Sequence, residues 1–417
     1  MKNEEYSELS LQITKELDKK VKKEYGIFIT PKTIIEKLMT RIHYYIKTLN
    51  IVINNILEPA CGTCEIINHL NNQFQNVNIT GVEINSFIYE RIKDIEYQKN
   101  NTTLLHKNFI QFNSETNYDL IITNPPYFVC SKNDIPQEYK EYVNGRPNIF
   151  GLFILHSIQI LNPGGILAFI IPRSFLNAIY YGKIRDYIKE VCDILEIIDF
   201  EKDNKFIDTQ QSTFGLIIQK KKLLDMNIIL NKTCNYSMKI GENFIFTCDL
   251  TLLKKLFEGS TTLTGLNLRV KTGNIVWNEH KDILSHDTDY SLLIYNSNIG
   301  DDNKVMIKQF NNDEKKQYIQ MIGFNEYPVM VVNRGNGNSK YNLKYAIVDM
   351  KKKYMVENHL NVIYPKCNNI SKEELLEKYN KVVKSFKNQK TKEFINLFLG
   401  NNGLSKTELE TIFPIYI

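Results

Sequence analysis

No stretch of the 417 residues stays apolar over the roughly 18 positions needed to span a bilayer. The opening residues, MKNEEYSELSLQITKELDKK, mix charged and apolar positions in a helical rhythm and are too polar for a secretory signal. These absences point away from membrane and export, and a cytoplasmic protein is expected. Cysteine is sparse: seven residues, an odd number scattered along the chain, do not make a disulfide framework. Cys61 and Cys64 form the one close pair; His69 follows, but no second pair completes a zinc site, so metal and redox chemistry are set aside. Charge of one sign is also lacking. Fifty-two Lys and Arg face 47 Asp and Glu, a net charge of +5 whose excess sits in the C-terminal part. Both a solvated lysine-rich surface and a polyanion-binding module fit that balance. No internal repeat or low-complexity linker occurs.

What is present suits an ordinary soluble fold: 43% hydrophobic and 24% charged residues in a chain long enough for two domains. From about residue 55 to 221, β-branched apolar runs alternate with helical stretches. NNILEPA, VNITGVEI, TTLLHKNF, YDLIITNPPY, GILAFIIP, DILEIIDF and STFGLIIQKK read as strands. GTCEIINHLNNQF, SFIYERIKDIEYQ, PNIFGLFILHSIQIL and SFLNAIYYGKIRDYIKEV read as helices. Continuous apolar strands between helices predict a Rossmann-like α/β fold, a mostly parallel sheet covered on both faces. The last two strands are joined by only about a dozen residues with no clear helix, which predicts an antiparallel finish at the sheet edge. After about residue 222, short strands separated by polar loops lead to a helical end capped by Ser371, an α+β pattern. Domains are expected over residues 1–235 and 236–417.

In such sheets ligands bind at the carboxyl ends of the strands. The most informative end is Asn124-Pro125-Pro126-Tyr127, followed by Phe128. Two prolines cannot continue a ladder; they make a rigid loop with free carbonyls. The Asn side chain adds an acceptor, and the aromatics add flat faces. Converging acceptors beside a ring suit an NH2 group, either the exocyclic amine of adenine or a glutamine amide. Accepting both its hydrogens frees the nitrogen lone pair, which is catalysis by positioning and electrostatics.

These four residues resemble motif IV of the adenine-specific DNA methyltransferases, and the order of segments resembles the gamma class of that family. GIFITP, residues 26–31, resembles the N-terminal motif that closes over S-adenosylmethionine, implicating Thr30 and Pro31. LEPACGTCEI resembles motif I, GVEI motif II, and KNF stands where motif III is expected. The resemblance implies that Glu58 meets the cofactor's ammonium. Ala60 and Gly62 form the turn beneath its amino-acid end, and backbone N–H groups at the helix start meet its carboxylate. Glu83 accepts the ribose hydroxyls, Ile84 and Phe109 sandwich the adenine, and Asn108, where the family more often has Asp, bonds its edge. Asn124 and Pro126 also border the cofactor. For the reaction, Asn124 and Pro125 hold the acceptor amine, while Tyr127 and Phe206 stack on a flipped-out adenine. Cys64 departs from the family, which usually has Gly or another small residue there; replacing it with Gly is expected to change little.

The C-terminal part then implies a target-recognition domain for double-stranded DNA. Lys271, Thr272, Asn274 and Arg334 are the candidate phosphate or base contacts. The expected activity is transfer of the methyl group of S-adenosylmethionine to adenine N6 within a specific DNA sequence. An RNA or protein-glutamine methyltransferase using the same Asn-Pro-Pro-Tyr chemistry is the first alternative, and a non-catalytic DNA-binding subunit the second. The roughly 25 residues before GIFITP are too few for a fused nuclease and the C-terminal half shows no separate acidic nuclease site, so any restriction endonuclease is expected to be encoded separately. The protein is expected to act as a monomer.

Overall fold

The computed structural model describes residues 5–143, 147–200, 206, 212–222, 235–324, 327–335, 341–367, 369–399 and 403–417. The chain divides into two compact units, Met1–Met238 with Phe244–Leu250, and Lys239–Asn243 with Thr251–Ile417.

The first unit is built on seven strands: β1 (Asn55–Glu58), β2 (Asn78–Glu83), β3 (Asn101–His106), β4 (Tyr118–Thr123), β5 (Leu161–Pro172), β6 (Cys192–Asp199) and β7 (Thr213–Lys220). Their order is β3-β2-β1-β4-β5-β7-β6. Neighbours from β3 to β5 pair parallel, and β7 pairs antiparallel with both β5 and β6. The switch point lies between β1 and β4, where consecutive connections run to opposite sides. This is the Rossmann-like sheet expected from the alternating pattern, with one correction. The antiparallel strand is not at the edge but one place in, and the edge strand is β6. The crossover helix after β5 carries the chain past a strand's width, and β7 returns into the gap. Burial records this: the first six residues of β7 are buried, whereas the middle of β6 is only half-buried.

The helices are α1 (Glu8–Glu16), α2 (Lys19–Tyr25), α3 (Lys32–Thr48), α4 (Glu65–Gln73), α5 (Ser86–Ile92), α6 (Ile149–Ile160) and α7 (Gly182–Val191). Side chains cap α1, α2, α5 and α6 at Ser7, Asp18, Asn85 and Asn148. The apolar runs are continuous because both sheet faces are covered. Along β5, Leu167, Phe169 and Ile171 pack with α6 and α7, while Ile166, Ala168 and Ile170 pack with α3, α4 and α5. The stretch before α7 is shorter in helix than its pattern suggests: two 3-10 turns occupy Arg173–Leu176 and Ile179–Tyr181.

The second unit holds two four-stranded sheets. One is antiparallel and runs Leu268–Thr272, Leu360–Pro365, Val329–Asn333, Tyr345–Val348; the other contains Ser291–Ile294 paired parallel with Tyr354–Val356. Ser371 caps the helix Lys372–Phe386 by accepting the Glu374 N–H at 3.1 Å. Among the described residues no helix is long and apolar enough to cross a membrane.

Candidate active site

The turn after β1 is shaped by two residues with left-handed backbone, Gly62 (φ 50°) and Cys64 (φ 64°). Glycine takes that conformation without strain; a cysteine takes it at a cost of about 1 kcal/mol or more. The turn is tied back to the sheet through Cys61 N–H, which donates to Val82 O at 2.9 Å. Glu83, at the end of β2, accepts from Gly62 N–H at 2.9 Å and from Asn85 N–H at 2.7 Å. One carboxylate therefore fixes the starts of both loops. Its carboxyl is pushed up by burial, against these backbone hydrogen bonds.

Glu58 is fully buried at the end of β1, and its Oε2 has no hydrogen-bond partner among the described residues. Burial pushes its carboxyl well above the ordinary 4.5, reinforced by the neighbouring Cys64, Glu83 and Glu65. Glu65 opens α4 and is held differently: its Oε1 accepts from Ser7 N–H at 2.8 Å and from the Ser10 hydroxyl, which also meets Thr63. Helix α1 is thereby pinned to the turn.

The strand ends converge on a cavity of about 750 Å³. Thr30, Glu58, Ala60, Gly62, Glu83, Ile84, Asn108, Phe109, Asn124 and Pro126 all line it. The expected constellation is thus brought together from the N-terminal segment and the ends of β1, β2, β3 and β4. Ile84 is 51% exposed, while Phe109 is buried against Phe153 and, edge-on, His156 at 4.7 Å. Burial pushes the His156 imidazole down; it meets Phe112 O at 2.9 Å and the Tyr139 hydroxyl at 2.8 Å. Asn108 is exposed, and its Oδ1 accepts from Ile110 N–H at 3.1 Å, so part of its capacity is spent capping a turn.

Pro31, Pro125, Tyr127 and Phe206 do not line the cavity. Pro31 stands just before α3, and Pro125 is buried. Tyr127 is half-buried and edge-on to Phe150 with centroids 6.0 Å apart. Its hydroxyl lies 2.6 Å from Asn124 Oδ1 and 2.8 Å from Ile170 O. Phe206, 8% exposed, packs in the cluster with α3, α4 and α5, whereas Tyr127 packs against the cluster with α6 and α7. The expected pair of stacking rings is therefore not assembled in this conformation.

The contacts of the Asn124 amide were not foreseeable from its own motif. Its Nδ2 donates to Phe28 O and to Thr30 Oγ, both at 3.1 Å. Gly26 makes this approach possible: a Cβ there would stand 2.6 Å from Tyr127 N. The family-like GIFITP segment was the only signal in the sequence for these contacts.

The thiols of Cys61 and Cys64 are buried, and the Cys61 thiol is pushed well up by its hydrogen bond with Cys64 and by burial. A reactive thiolate needs the opposite shift. Among the described residues no group of three or more His, Cys, Asp or Glu could hold a metal ion.

In the second unit, Thr272 and Asn333 flank the same end of the central strand, opposite Asn361 and Leu360, so Lys271, Thr272, Asn274 and Arg334 share one end of the antiparallel sheet. The Lys271 ammonium sits over the rings of Phe324 (4.7 Å) and Tyr364 (5.2 Å). Asn274 is exposed. Arg334 is half-buried and donates to Asn358 O at 3.0 Å, which gives it a structural contact in addition to any ligand.

Residues 22–206 match the family model of the Eco57I restriction-modification methylases. The chain is 26% identical to the type II methyltransferase M.CvrRI of Paramecium bursaria Chlorella virus XZ-6E, over 99% of each chain. It is 33% identical to the modification methylase CviBIII of Paramecium bursaria Chlorella virus NC1A, over 52% of this chain and 56% of that one. Among solved structures it is similar to a putative class I S-adenosylmethionine-dependent methyltransferase from Listeria monocytogenes, at 22% identity and a TM-score of 0.44, over 54% of this chain and 68% of that one. The chain is thus similar to type II restriction-modification methyltransferases, most directly over residues 22–206. The cavity fits S-adenosylmethionine: the buried Oε2 of Glu58, unpartnered among the described residues, suits an ammonium, and the cavity also holds Glu83 and the ring of Phe109.

Proposed function

We propose that this protein transfers a methyl group to the N6 amine of an adenine flipped out of a specific double-stranded DNA sequence. The observation that carries the proposal is the Asn124 amide. It stands at the end of β4, on the cavity that holds Glu58 and Glu83, with its nitrogen already engaged by Phe28 and Thr30.

Asn124 Oδ1 and the Pro125 carbonyl take the two N–H bonds of the amine, drawing its lone pair out of conjugation with the ring. When bound, S-adenosylmethionine supplies the electrophilic methyl group. Glu58 holds the ammonium, Glu83 the ribose hydroxyls, and Ile84 with Phe109 the adenine ring of that cofactor. The Asn-Pro-Pro-Tyr loop offers no carboxylate or imidazole, so the amine proton leaves to solvent. Tyr127 provides a stacking face for the extruded base. Phe206 provides the second after leaving its apolar cluster; residues 201–205 and 207–211 around it lie outside the described residues. The second unit reads the DNA through Lys271, Thr272, Asn274 and Arg334, phosphate contacts positioning and base contacts specifying. The enzyme acts as a monomer, with any restriction endonuclease supplied as a separate protein.

The test is expression in a host free of DNA methylation, followed by sequencing that detects modified adenines. N6-methyladenine confined to one sequence context is expected. Transfer of labelled methyl to RNA or protein, with none to DNA, would reject the proposal.

A further inference from the structure

The Asn124 amide has two N–H donors and one oxygen, and only one of its two orientations serves the proposed chemistry. Turned the other way, it would offer the acceptor amine a second set of N–H bonds. Nothing in the Asn-Pro-Pro-Tyr loop itself selects the useful orientation. The N-terminal segment does. A backbone carbonyl can only accept, so Phe28 O at 3.1 Å requires the nitrogen of Asn124 on its side. Thr30 Oγ accepts the second N–H, also at 3.1 Å, and Thr30 is itself buried at 5% exposure. Both donors are thereby used, and Oδ1 is turned the opposite way.

The oxygen is not left idle. The Tyr127 hydroxyl lies 2.6 Å from it, yet that hydroxyl has one proton and a second acceptor, Ile170 O at 2.8 Å. When another donor reaches Oδ1, the Tyr127 proton can turn to Ile170 without any side chain moving.

We propose that Thr30 is a positioning residue for methyl transfer: together with Phe28 O it commits the Asn124 oxygen to the acceptor amine, while the Tyr127 hydroxyl occupies that oxygen until the amine arrives. The proposal rests on the adenine-methylating reading of the site. It differs from assigning Thr30 to the cofactor, because Thr30 acts through Asn124.

The test uses the full chain with Thr30→Val, which keeps the shape and removes the hydroxyl, and Thr30→Ser, which restores it. Single-turnover methylation at saturating cofactor and DNA should fall about fivefold to tenfold in Thr30→Val, the worth of one ordinary hydrogen bond, and recover in Thr30→Ser. Cofactor affinity by calorimetry should stay unchanged. In thermal unfolding, the Tm loss caused by Thr30→Val should shrink when Asn124→Ala is already present, because the shared bond is gone. Equal Tm losses in both backgrounds, or weaker cofactor binding with an unchanged saturated rate, overturn the inference. A wild-type protein that methylates no DNA while the Tm coupling persists rejects the functional reading instead, and leaves the amide orientation standing.

Discussion

Glu58→Gln separates the two things a buried carboxyl can do here. Glu58 is fully buried, its Oε2 has no partner among the described residues, and its carboxyl is held well above 4.5 chiefly by burial. The folded state therefore keeps a proton on Glu58 at pH values where the unfolded chain has released it. Stability from this group is lost as pH rises from about 4.5 through the raised folded value. Gln carries no such penalty, so at pH 8 Glu58→Gln should be at least as stable as wild type in denaturant unfolding, and the difference should narrow towards pH 5. Cofactor binding should respond in the opposite sense. An ammonium favours the charged carboxylate, so binding releases a proton and tightens as pH rises. Replacing a charge-assisted hydrogen bond removes about 1.5–3 kcal/mol, and the affinity should fall about tenfold to a hundredfold. Calorimetry in two buffers of different ionisation enthalpy reads both the affinity and the proton count. A variant that binds S-adenosylmethionine as well as wild type, with no proton released by either, would refute the assignment of Glu58 to the ammonium.

Three further outcomes follow from the same geometry. Asn124→Ala should abolish methyl transfer while cofactor affinity, measured by calorimetry, stays within about a factor of five, the worth of one lost contact; retained transfer would remove Asn124 from catalysis. Gly26→Ala places a Cβ 2.6 Å from Tyr127 N at a residue with φ 62°, and should cost about 1–3 kcal/mol of stability together with a large loss of single-turnover rate, since the Asn-Pro-Pro-Tyr loop must shift. Cys64→Gly relieves a left-handed backbone at φ 64° but removes a fully buried thiol; these opposing changes of about 1 kcal/mol each should leave stability, activity and resistance to chelators close to wild type.

The sequence made the sheet and the cavity's residues legible, for a specific physical reason. Strands buried on both faces need unbroken apolar runs, and their ends are marked where the run breaks into Glu58-Pro59, Glu83 or Asn124-Pro125. What could not be read was pairing between segments far apart in the chain. The place of β7 between β5 and β6 depends on a ladder that sets Ile166 against Gln219 and Thr213 against Pro172; local pattern shows both strands but not which is interior. The partners of Asn124 stand 96 and 94 residues away, one of them a backbone oxygen with no side-chain signature. Likewise the bond from Ser10 to Glu65 spans 55 residues, and nothing in either residue's neighbourhood announces it. Phe206 shows the converse: the family resemblance implies a stacking face there, but a resemblance does not tell a ring poised for a ligand from one filling a core.

Three carboxylates surround the turn after β1, and their different surroundings decide which one a cation would seek. Glu83 has both oxygens engaged by backbone N–H groups of Gly62 and Asn85. Its remaining lone pairs suit neutral hydroxyl donors, which ask for acceptors without demanding a free charge. Glu65 is taken up by Ser7 and Ser10 and serves to fasten α1. Glu58 alone combines complete burial with an oxygen that has no partner among the described residues. A buried carboxyl of that kind is costly unless something arrives to pair with it. Cys64, where the chain departs from the family, packs in the apolar cluster with α3, α4 and α5 and leaves the turn's backbone where the two left-handed residues put it. The Cys61/Cys64 pair is thus the underside of a cofactor loop, and the chemistry of that loop lies with the carboxylate three residues before it.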